Sequence, residues 1–291
     1  MELRVLQYFL AVTREQSISG AAEALHLSQP TLSRQLKDME DELGRQLLIR
    51  GNRRITLTEE GMILRKRAEE ILELVKKAED EISLSEENVA GDITIGAGET
   101  DGVRILAKAA QAVQKDFPLV HFHIISGDKV TVTESMDKGL IDFGLLFGKI
   151  DTSKYEYISL PYKDTWGVLM RRDSPLADKE VITPEDLWDK PLIVSRQEFL
   201  GNDLQEFLKC ENDKLNIAAT YNLLFNGSLM VDEGMGYALC LDHIINVSGD
   251  SNLCFRPFFP EREAEMCLAW KKYQVLTKAA EKFLEKLQDT I

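Results

Sequence analysis

Apolar positions near the start of the chain recur at the three-to-four-residue spacing that is typical of helices. The segment 19–25 is short and rich in alanine, and the segment 29–43 carries one apolar stripe. The stripe consists of Leu32, Leu36, Met39 and Leu43. Ser19 and Ser28 are good N-cap residues, and Gly44 suits the left-handed position that ends a helix. The pattern predicts two helices joined by a tight turn, and the second helix has one buried face.

The opposite face of the second predicted helix is polar and basic. Pro30 falls in its first turn, where a missing N–H costs nothing, so the Ser28 hydroxyl must satisfy the N–H of Thr31. Gln29 and Thr31 lie at the tip, where amide and hydroxyl groups suit base edges, and Arg34 suits a phosphate. A helical hairpin with a solvated polar face has the same pattern, so this segment alone leaves both interpretations open.

Two short β-type segments follow, 46–50 and 54–57, and the Gly-Asn turn between them predicts a β-hairpin. Its tip carries three arginines, Arg50, Arg53 and Arg54. Two helices followed by a basic hairpin form the layout of a winged helix-turn-helix. The DNA-binding residues that this layout predicts are Ser28, Gln29, Pro30, Thr31, Ser33, Arg34, Lys37, Arg50, Arg53 and Arg54.

Two further predicted helices flank this segment. The first runs from Leu3 to about Glu15 and has two apolar stripes. A small domain is expected to bury only one of them, so the other is expected to pack on the long helix that follows. The second begins after Thr58 and carries an apolar seam with spacings of four and three residues, which predicts dimerisation. The seam consists of Leu64, Ala68, Ile71, Val75, Ala78 and Ile82. Packing of the seam on the downstream part of the same chain is the alternative.

Beyond a predicted hinge at 89–92, segments of β-type and helical pattern alternate. The first round consists of strands at 93–96, 119–125 and 143–147 with helices at 103–115 and 132–138. A second round begins near Tyr162, and a helix over 277–287 closes the chain. This alternation predicts an α/β fold with a parallel sheet and right-handed crossovers.

Charge changes this picture only in part. The chain has 291 residues, enough for two or three domains, and a net charge of −14, which argues at first against a nucleic-acid partner. However, residues 1–58 hold eight basic and seven acidic side chains, so the negative excess lies further along the chain. This balance predicts modest non-specific affinity that fades with salt, so that specific binding needs two or more such domains.

Other chemistry is weakly indicated. We expect a cytoplasmic protein, because no signal-peptide pattern and no membrane-length apolar run is present. Four cysteines, at 210, 240, 254 and 267, form no CxxC pair and are expected to be buried thiols, with Cys254 and Cys267 as the pair for any redox role. His121 and His123 share a strand face without a further ligand. We therefore predict no enzyme, no cofactor and no metal.

Residues 1 to about 65 resemble the N-terminal domain of LysR-type transcriptional regulators. The resemblance is carried by Phe9, Val12, Ser19, Ala21, Ala22, Leu25, Ser28, Gln29, Pro30, Ser33, Leu43, Gly44, Arg50, Leu57, Thr58 and Gly61. Leu48, Met39 and Glu60 depart from the family pattern, but they concern packing and the start of the next helix. The remainder resembles the effector-binding module of the same family, which is akin to type 2 periplasmic binding proteins, through the segments 140–144, 174–177 and 234–239.

The resemblance implies four parts: a winged helix-turn-helix at 1–58, a linker helix and hinge at 59–90, and two α/β subdomains at 91–161 plus 268–291 and at 162–267. An effector would bind between the subdomains, at the carboxyl ends of strands. The residues predicted there are Gly98, Thr100, Ser126, Gly127, Phe147, Ser195, Arg196, Asn226 and Gly227. Arg196 is the one obvious cation, whereas Glu99, Asp101 and Asp128 crowd the mouth, so the charge of the effector stays open.

The sequence thus predicts a DNA-binding transcriptional regulator that responds to a small-molecule effector. The family resemblance implies a homo-oligomer, a dimer or a tetramer, on double-stranded DNA with an interrupted palindrome, with RNA polymerase as a further partner and no membrane contact. The alternative is a ligand-binding or scaffold protein whose winged domain contacts another protein.

Overall fold

The computed structural model describes residues 1–51, 54–83, 89–196, 203–209 and 215–291. The chain divides into two compact units, Met1–Ser85 and Glu86–Ile291. Within the described ranges, no helix combines the length and the apolar character needed to cross a membrane.

The described residues of the N-terminal unit form four helices and a two-stranded hairpin. They are α1 (Leu3–Glu15), α2 (Ile18–Ala24), α3 (Gln29–Leu43), β1 (Leu48–Arg50), β2 (Ile55–Leu57) and α4 (Glu59–Ser83). The expected cap on α3 is confirmed, because the Ser28 hydroxyl accepts the N–H of Thr31 at 3.3 Å. Gly44 follows α3 with a φ of 63°, in the left-handed region.

Local signals left two details wrong. The cap of α2 is Ser17 rather than Ser19, since the Ser17 hydroxyl accepts the N–H of Gly20 at 3.2 Å and the helix begins at Ile18. Leu43 is 42% exposed although Leu32, Leu36 and Met39 are buried, so the apolar stripe of α3 stops one turn early.

The core of this unit buries residues from both stripes of α1, and the expectation that the long following helix covers the second stripe is confirmed. Phe9 of the first stripe and Val12 of the second are both fully buried. The cover comes from α4, whose Ala68 is fully buried in the same cluster, with Leu64 and Ile71 packed against it.

The seam of α4 therefore has two parts. Leu64, Ala68 and Ile71 pack on the helix-turn-helix of their own chain rather than on a second subunit. Further along, Ala78 is exposed and Ile82 is 84% exposed. Only this C-terminal part of the predicted seam is exposed and therefore open to the predicted contact with a second subunit.

The C-terminal unit alternates strands and helices. Its strands are β3 (Gly91–Ala97), β4 (Val120–Ser126), β5 (Phe143–Phe147), β6 (Tyr155–Arg171), β7 (Leu192–Ser195), β8 (Ile217–Tyr221), β9 (Tyr237–Leu241), β10 (Leu253–Pro257) and β11 (Glu263–Lys271). Its α-helices are α5 (Val103–Asp116), α6 (Lys129–Asp137), α7 (Asp203–Leu208), α8 (Leu224–Asp232) and α9 (Lys278–Thr290). Short 3₁₀ turns occupy Pro175–Asp178 and Pro184–Asp186.

The strands form one mixed sheet in the order β4-β3-β5-β11-β6-β9-β7-β8, with β10 beside β6. The trios β3, β4, β5 and β7, β8, β9 are parallel, as predicted. The sheet as a whole is not, because β6 and β11 pair antiparallel with each other and with their other neighbours. These two long strands carry the chain from one trio to the other and back.

Each trio has its own core. Phe143 and Phe283 are fully buried between the first trio and α5 and α9, with ring centroids 5.5 Å apart. Val168, Val194 and Phe258 belong to the core of the second trio.

The cysteines that the structure describes are buried and reduced. Cys254 lies opposite Met170, whereas Cys267 lies opposite Ser159, eleven positions away along β6. At roughly 3.3 Å per residue this spacing far exceeds the reach of a disulfide, so Cys254 and Cys267 cannot pair within one chain. The prediction of buried thiols is confirmed for the cysteines that the structure describes. Burial raises the pKa of the Cys267 thiol to about 11, which leaves it protonated at neutral pH. Cys210 lies outside the described residues.

Candidate functional site

The N-terminal end of α3 presents a continuous polar surface to solvent. Gln29, Pro30 and Thr31 are exposed at the tip, and Arg34 is exposed one turn later. Ser33 is half-buried. The Arg34 side chain is 82% exposed and lies 3.8 Å from Asp38, an exposed pair that holds it weakly. The apolar stripe fixes the opposite face in the core, so the tip projects away from it.

The hairpin, here called the wing, places basic groups beside α3. Leu48 pairs with Leu57 and Arg50 with Ile55, so the strands are in register. Arg50 and Arg54 are exposed. The predicted contact residue Arg53 lies outside the described residues.

The base of the wing is held tightly against α4. The Thr58 backbone N–H donates to the Leu47 carbonyl at 3.1 Å, and the Thr58 hydroxyl donates to the Gln46 carbonyl at 2.8 Å. Gly61 lies so close that an added Cβ would be 2.2 Å from the Leu47 oxygen. This contact gives the glycine of the Leu-Thr…Gly motif a physical reason.

In the C-terminal unit, a cleft of about 530 Å³ opens between the two strand trios. It lies at the carboxyl ends of their parallel strands, where open α/β sheets bind ligands. The residues there that lead from these strand ends into the cleft are Gly98, Gly127, Phe147, Ser195, Asn222 and Leu241.

The predicted effector residues divide into three groups. Gly98, Gly127, Phe147 and Ser195 line the cleft. Thr100 and Ser126 line a neighbouring pocket of about 300 Å³, which shares Gly98, Glu99 and Ile244 with the cleft. Arg196, Asn226 and Gly227 line neither of these two cavities.

The placement of Asn226 and Gly227 corrects an error in a strand boundary. The sequence pattern extends the strand to Phe225, but β8 ends at Tyr221, and Asn226 and Gly227 lie inside α8. Asn226 is exposed, and Gly227 packs so closely on Tyr221 that an added Cβ would lie 3.1 Å from the ring. Tyr221 and Asn222 are therefore the strand-end residues of this loop.

The charges at the cleft also differ from the expectation. Lys129, Lys149 and Arg262 line it, whereas Arg196 is exposed at the end of β7. The Lys129 ammonium donates to the carbonyls of Phe147 and Lys149 at 3.2 and 2.8 Å. The Arg262 guanidinium lies 5.0 Å from the centre of the Trp166 ring. Sequence reasoning missed these groups because the topology brings them together from distant segments.

The acids expected to crowd the mouth are engaged by protein donors. Glu99 accepts the N–H of Leu224 at the start of α8, and Asp101 pairs with Arg104 at 2.5 Å. Asp128 caps α6 by accepting the N–H and hydroxyl of Thr131 at 2.9 and 2.7 Å, and these bonds lower the pKa of its carboxyl. Their charge is thus partly compensated before any ligand arrives.

Thr100 is used inside the protein. Its hydroxyl donates to the carboxylate of Asp164 on β6 and accepts the N–H of Gly102 at 2.9 Å. Asp164 is buried, which raises the pKa of its carboxyl, and Tyr162 beside it has a pKa raised to about 12, mainly by burial. Thr100 therefore ties the loop after β3 to the strand that joins the two trios.

The residues described by the structure contain no group of three or more His, Cys, Asp or Glu side chains able to hold a metal. His123 lies 3.5 Å from Asp92 on neighbouring strands, and both side chains are more than half exposed.

The sequence matches two family models. Residues 3–62 match the bacterial regulatory helix-turn-helix protein of the lysR family, and residues 86–291 match the LysR substrate binding domain. The HTH-type transcriptional regulator BsdA of Bacillus subtilis (strain 168) is 29% identical, with 98% of this chain and 99% of that protein covered. The Hca operon transcriptional activator HcaR of Escherichia coli (strain K12) is 28% identical over 94% of this chain and 92% of HcaR.

A solved structure shares the same fold along the whole chain. Full-length CbnR complexed with its target DNA matches with a TM-score of 0.75 at 19% identity, and both chains are covered completely.

Proposed function

Because the chain belongs to the LysR family of DNA-binding transcriptional regulators with an effector-binding domain, we propose a division of labour along it. Residues 1–58 bind DNA, residues 59–90 link and pair subunits, and the subdomains 91–161 plus 268–291 and 162–267 bind the effector. The observation that carries this proposal is the exposed polar tip of α3 beside the basic wing. A regulator of this kind acts where the DNA is, so we expect it in the cytoplasm, and we propose no catalytic role.

The tip of α3 enters the major groove. Gln29 reads a base edge, with Thr31 and Ser33 beside it, because an amide pairs with adenine and hydroxyls bond either way. Ser28 caps the helix whose N-terminus faces a phosphate. Arg34, Lys37 and the wing arginines bind the sugar-phosphate strand, which positions the protein without reading sequence.

The cleft between the strand trios binds the effector. Its volume of about 530 Å³ suits a small molecule, and the lining mixes aromatic walls with a few charged groups. Glu99, Asp101 and Asp128 are engaged by protein donors, and Glu263 and Glu265, which also line the cleft, pair with Lys163, which weakens the objection to an anion. The effector acts through its different affinities for two arrangements of the oligomer.

We place the subunit contact on the C-terminal half of α4, where Ile82 is 84% exposed. Pairing two winged domains predicts an interrupted palindrome as the DNA target. The edge strand β4 also exposes Ile124 and Ile125 at 49% and 46%, which is consistent with further contacts between effector modules and hence with a tetramer.

A gel-shift titration of the full chain against the DNA upstream of its own gene tests the proposal. We expect a complex that resists excess random competitor and weakens steeply with salt. If every complex is displaced equally by random DNA, the winged domain does not read sequence, and contact with another protein becomes the better account.

The subunit contact has a separate test. Ile82→Glu is expected to yield smaller species in light scattering and a weaker DNA complex, since the second half-site is lost. Ile63→Glu is the control, because Ile63 is exposed on the same helix outside the predicted seam. An unchanged mass for Ile82→Glu would remove this half of α4 from the interface.

A further inference from the structure

One acidic side chain lies between α3 and the wing and is largely shielded from solvent. Glu40 lies in the last turns of α3, directly after the buried Met39, and its side chain is only 13% exposed. One carboxylate oxygen, Oε1, accepts two backbone N–H groups of the wing, from Leu47 at 2.7 Å and from Leu48 at 3.0 Å. Glu40 thus joins α3 directly to the first strand of the wing.

The other carboxylate oxygen faces an arginine. Oε2 of Glu40 lies 3.9 Å from Nη2 of Arg50, whose side chain is 46% exposed. Between α3 and the wing runs a groove lined by Lys37, Arg45 and Arg50 together with Glu40 and Asp41. Three cations therefore line a concave surface, and the buried carboxylate sits within reach of one of them.

A carboxylate at this place is unfavourable for DNA binding on charge alone, because it repels phosphates. Its geometry gives it a compensating role. A carboxylate that accepts two N–H groups makes strong, directional hydrogen bonds. Here it satisfies the backbone N–H groups of Leu47 and Leu48 at the base of the wing. Thr58, directly before α4, and Gly61 of α4 hold the same wing base. The wing is thereby fixed to both helices.

We propose that Glu40 is a positioning residue for DNA binding. It sets the distance and angle between the tip of α3 and the wing, and it holds Arg50 at the groove until a phosphate replaces the carboxylate as its partner. Arg45, on the same groove and 71% exposed, is a further phosphate contact. The inference rests on the proposed function, since it assumes that α3 and the wing bind one DNA segment.

The test relies on opposite expected changes in DNA affinity: substitution of Asp41 is expected to tighten binding, and substitution of Glu40 is expected to weaken it. Asp41 is the matched control: it lines the same groove one residue later and is exposed. Asp41→Asn removes a negative charge near the DNA, so binding is expected to tighten by a few-fold. Glu40→Gln removes the same charge but also weakens the hold on Arg50, and Glu40→Ala removes every acceptor. We expect binding of the full chain to its DNA target to weaken about threefold in Glu40→Gln and about tenfold in Glu40→Ala.

Two further readouts separate positioning from folding. The dependence of binding on salt is expected to be shallower in Glu40→Ala, by about one phosphate contact, because Arg50 is no longer held at the groove. Hydroxyl-radical footprinting is expected to lose protection on the flank bound by the wing and to keep it at the centre of each half-site. Circular dichroism identifies any variant that has lost helical structure.

The result that overturns the inference is tighter binding in Glu40→Gln and Glu40→Ala, as in Asp41→Asn, because Glu40 would then be only a repelling charge. If Glu40→Ala proves unfolded, Glu40→Gln decides on the same criterion. Failure of the unsubstituted chain to bind DNA in the same assay would instead contradict the proposed function, so the two failures are distinguishable.

Discussion

The two units of this chain build their sites in different ways. In the N-terminal unit, the groups proposed to bind DNA come from one helix and one hairpin that are adjacent in sequence. Ser28, Gln29 and Arg34 lie within seven positions of each other. In the C-terminal unit, the cleft collects Gly98, Ser195 and residues near them from strands spread over more than 160 positions. One site is local, whereas the other exists only when the sheet is complete.

This difference has a physical consequence. A local site is fixed by caps, stripes and turns, each of which acts over a few residues, so single substitutions are expected to have separable effects. A site assembled from strand ends depends on register and on ties such as that between Thr100 and Asp164. Substitutions in the cleft are therefore expected to change both ligand binding and the relation between the two trios.

The largest expected effect tests how closely α4 packs against the base of the wing in the N-terminal unit. Gly61→Ala places a Cβ about 2.2 Å from the Leu47 oxygen, so α4 and the wing must separate. We expect a loss of about 2–3 kcal/mol in the free energy of unfolding of the N-terminal unit, measured by urea titration. Gly20→Ala is the control, because its nearest neighbour would be at 3.6 Å and alanine favours a helix. Equal stability of both variants would contradict the tight wing base.

The next effect tests whether contacts in the local site are separable. Gln29→Ala is expected to cost about 1–3 kcal/mol on the target sequence and little on random DNA, because it removes base reading. Arg54→Ala is expected to weaken binding to both and to reduce the salt dependence by about one contact. Fluorescence anisotropy against both DNAs measures these effects. If both variants lose the same affinity on target and random DNA, Gln29 does not read bases and Arg54 does not act only on phosphates.

The smallest effect concerns one cap at the cleft. Asp128→Ala is expected to cost the C-terminal unit about 1 kcal/mol at neutral pH, whereas Asp128→Asn keeps an acceptor and costs less. Because hydrogen bonds lower the pKa of Asp128 in the folded chain, its contribution is fully present above the unfolded pKa. It is lost as the pH falls through the folded pKa. Denaturation at neutral and acidic pH measures the difference, and a difference that grows in acid would contradict the cap.

The contrast between a site of adjacent residues and a site of distant strand ends explains which features could be predicted from the sequence. The cap at Ser28, the stripe of α3 and the turn at Gly44 are written in adjacent residues, and the structure contains all three. The cap of α2 was predicted two residues too late, at Ser19 instead of Ser17, because serine is a good cap residue at either position. The seam of α4 was read correctly as apolar, but pattern alone does not tell whether α1 or a second subunit covers it.

In the C-terminal unit, the sequence predicted the cleft residues at strand ends better than the other residues that line the cleft. Gly98, Gly127, Phe147 and Ser195 were found because each follows or ends a strand with a clear pattern. The long strand β6 was not predicted, because Pro161 within it suggests that the strand is interrupted there. Trp166 and Arg262 enter the cleft through the path of β6 and β11, and no local pattern encodes that path. Lys129 begins α6 directly after the loop that holds Gly127.

The central claim is that the tip of α3 touches the bases of the target DNA. A benzophenone amino acid at position 29 of the full chain, irradiated in complex with that DNA, tests it most directly. The control carries the same group at Tyr273, which is 90% exposed in the C-terminal unit. We predict crosslinks from position 29 to bases inside each half-site and none from position 273. A specific complex in which position 29 forms no crosslink to DNA would contradict the account.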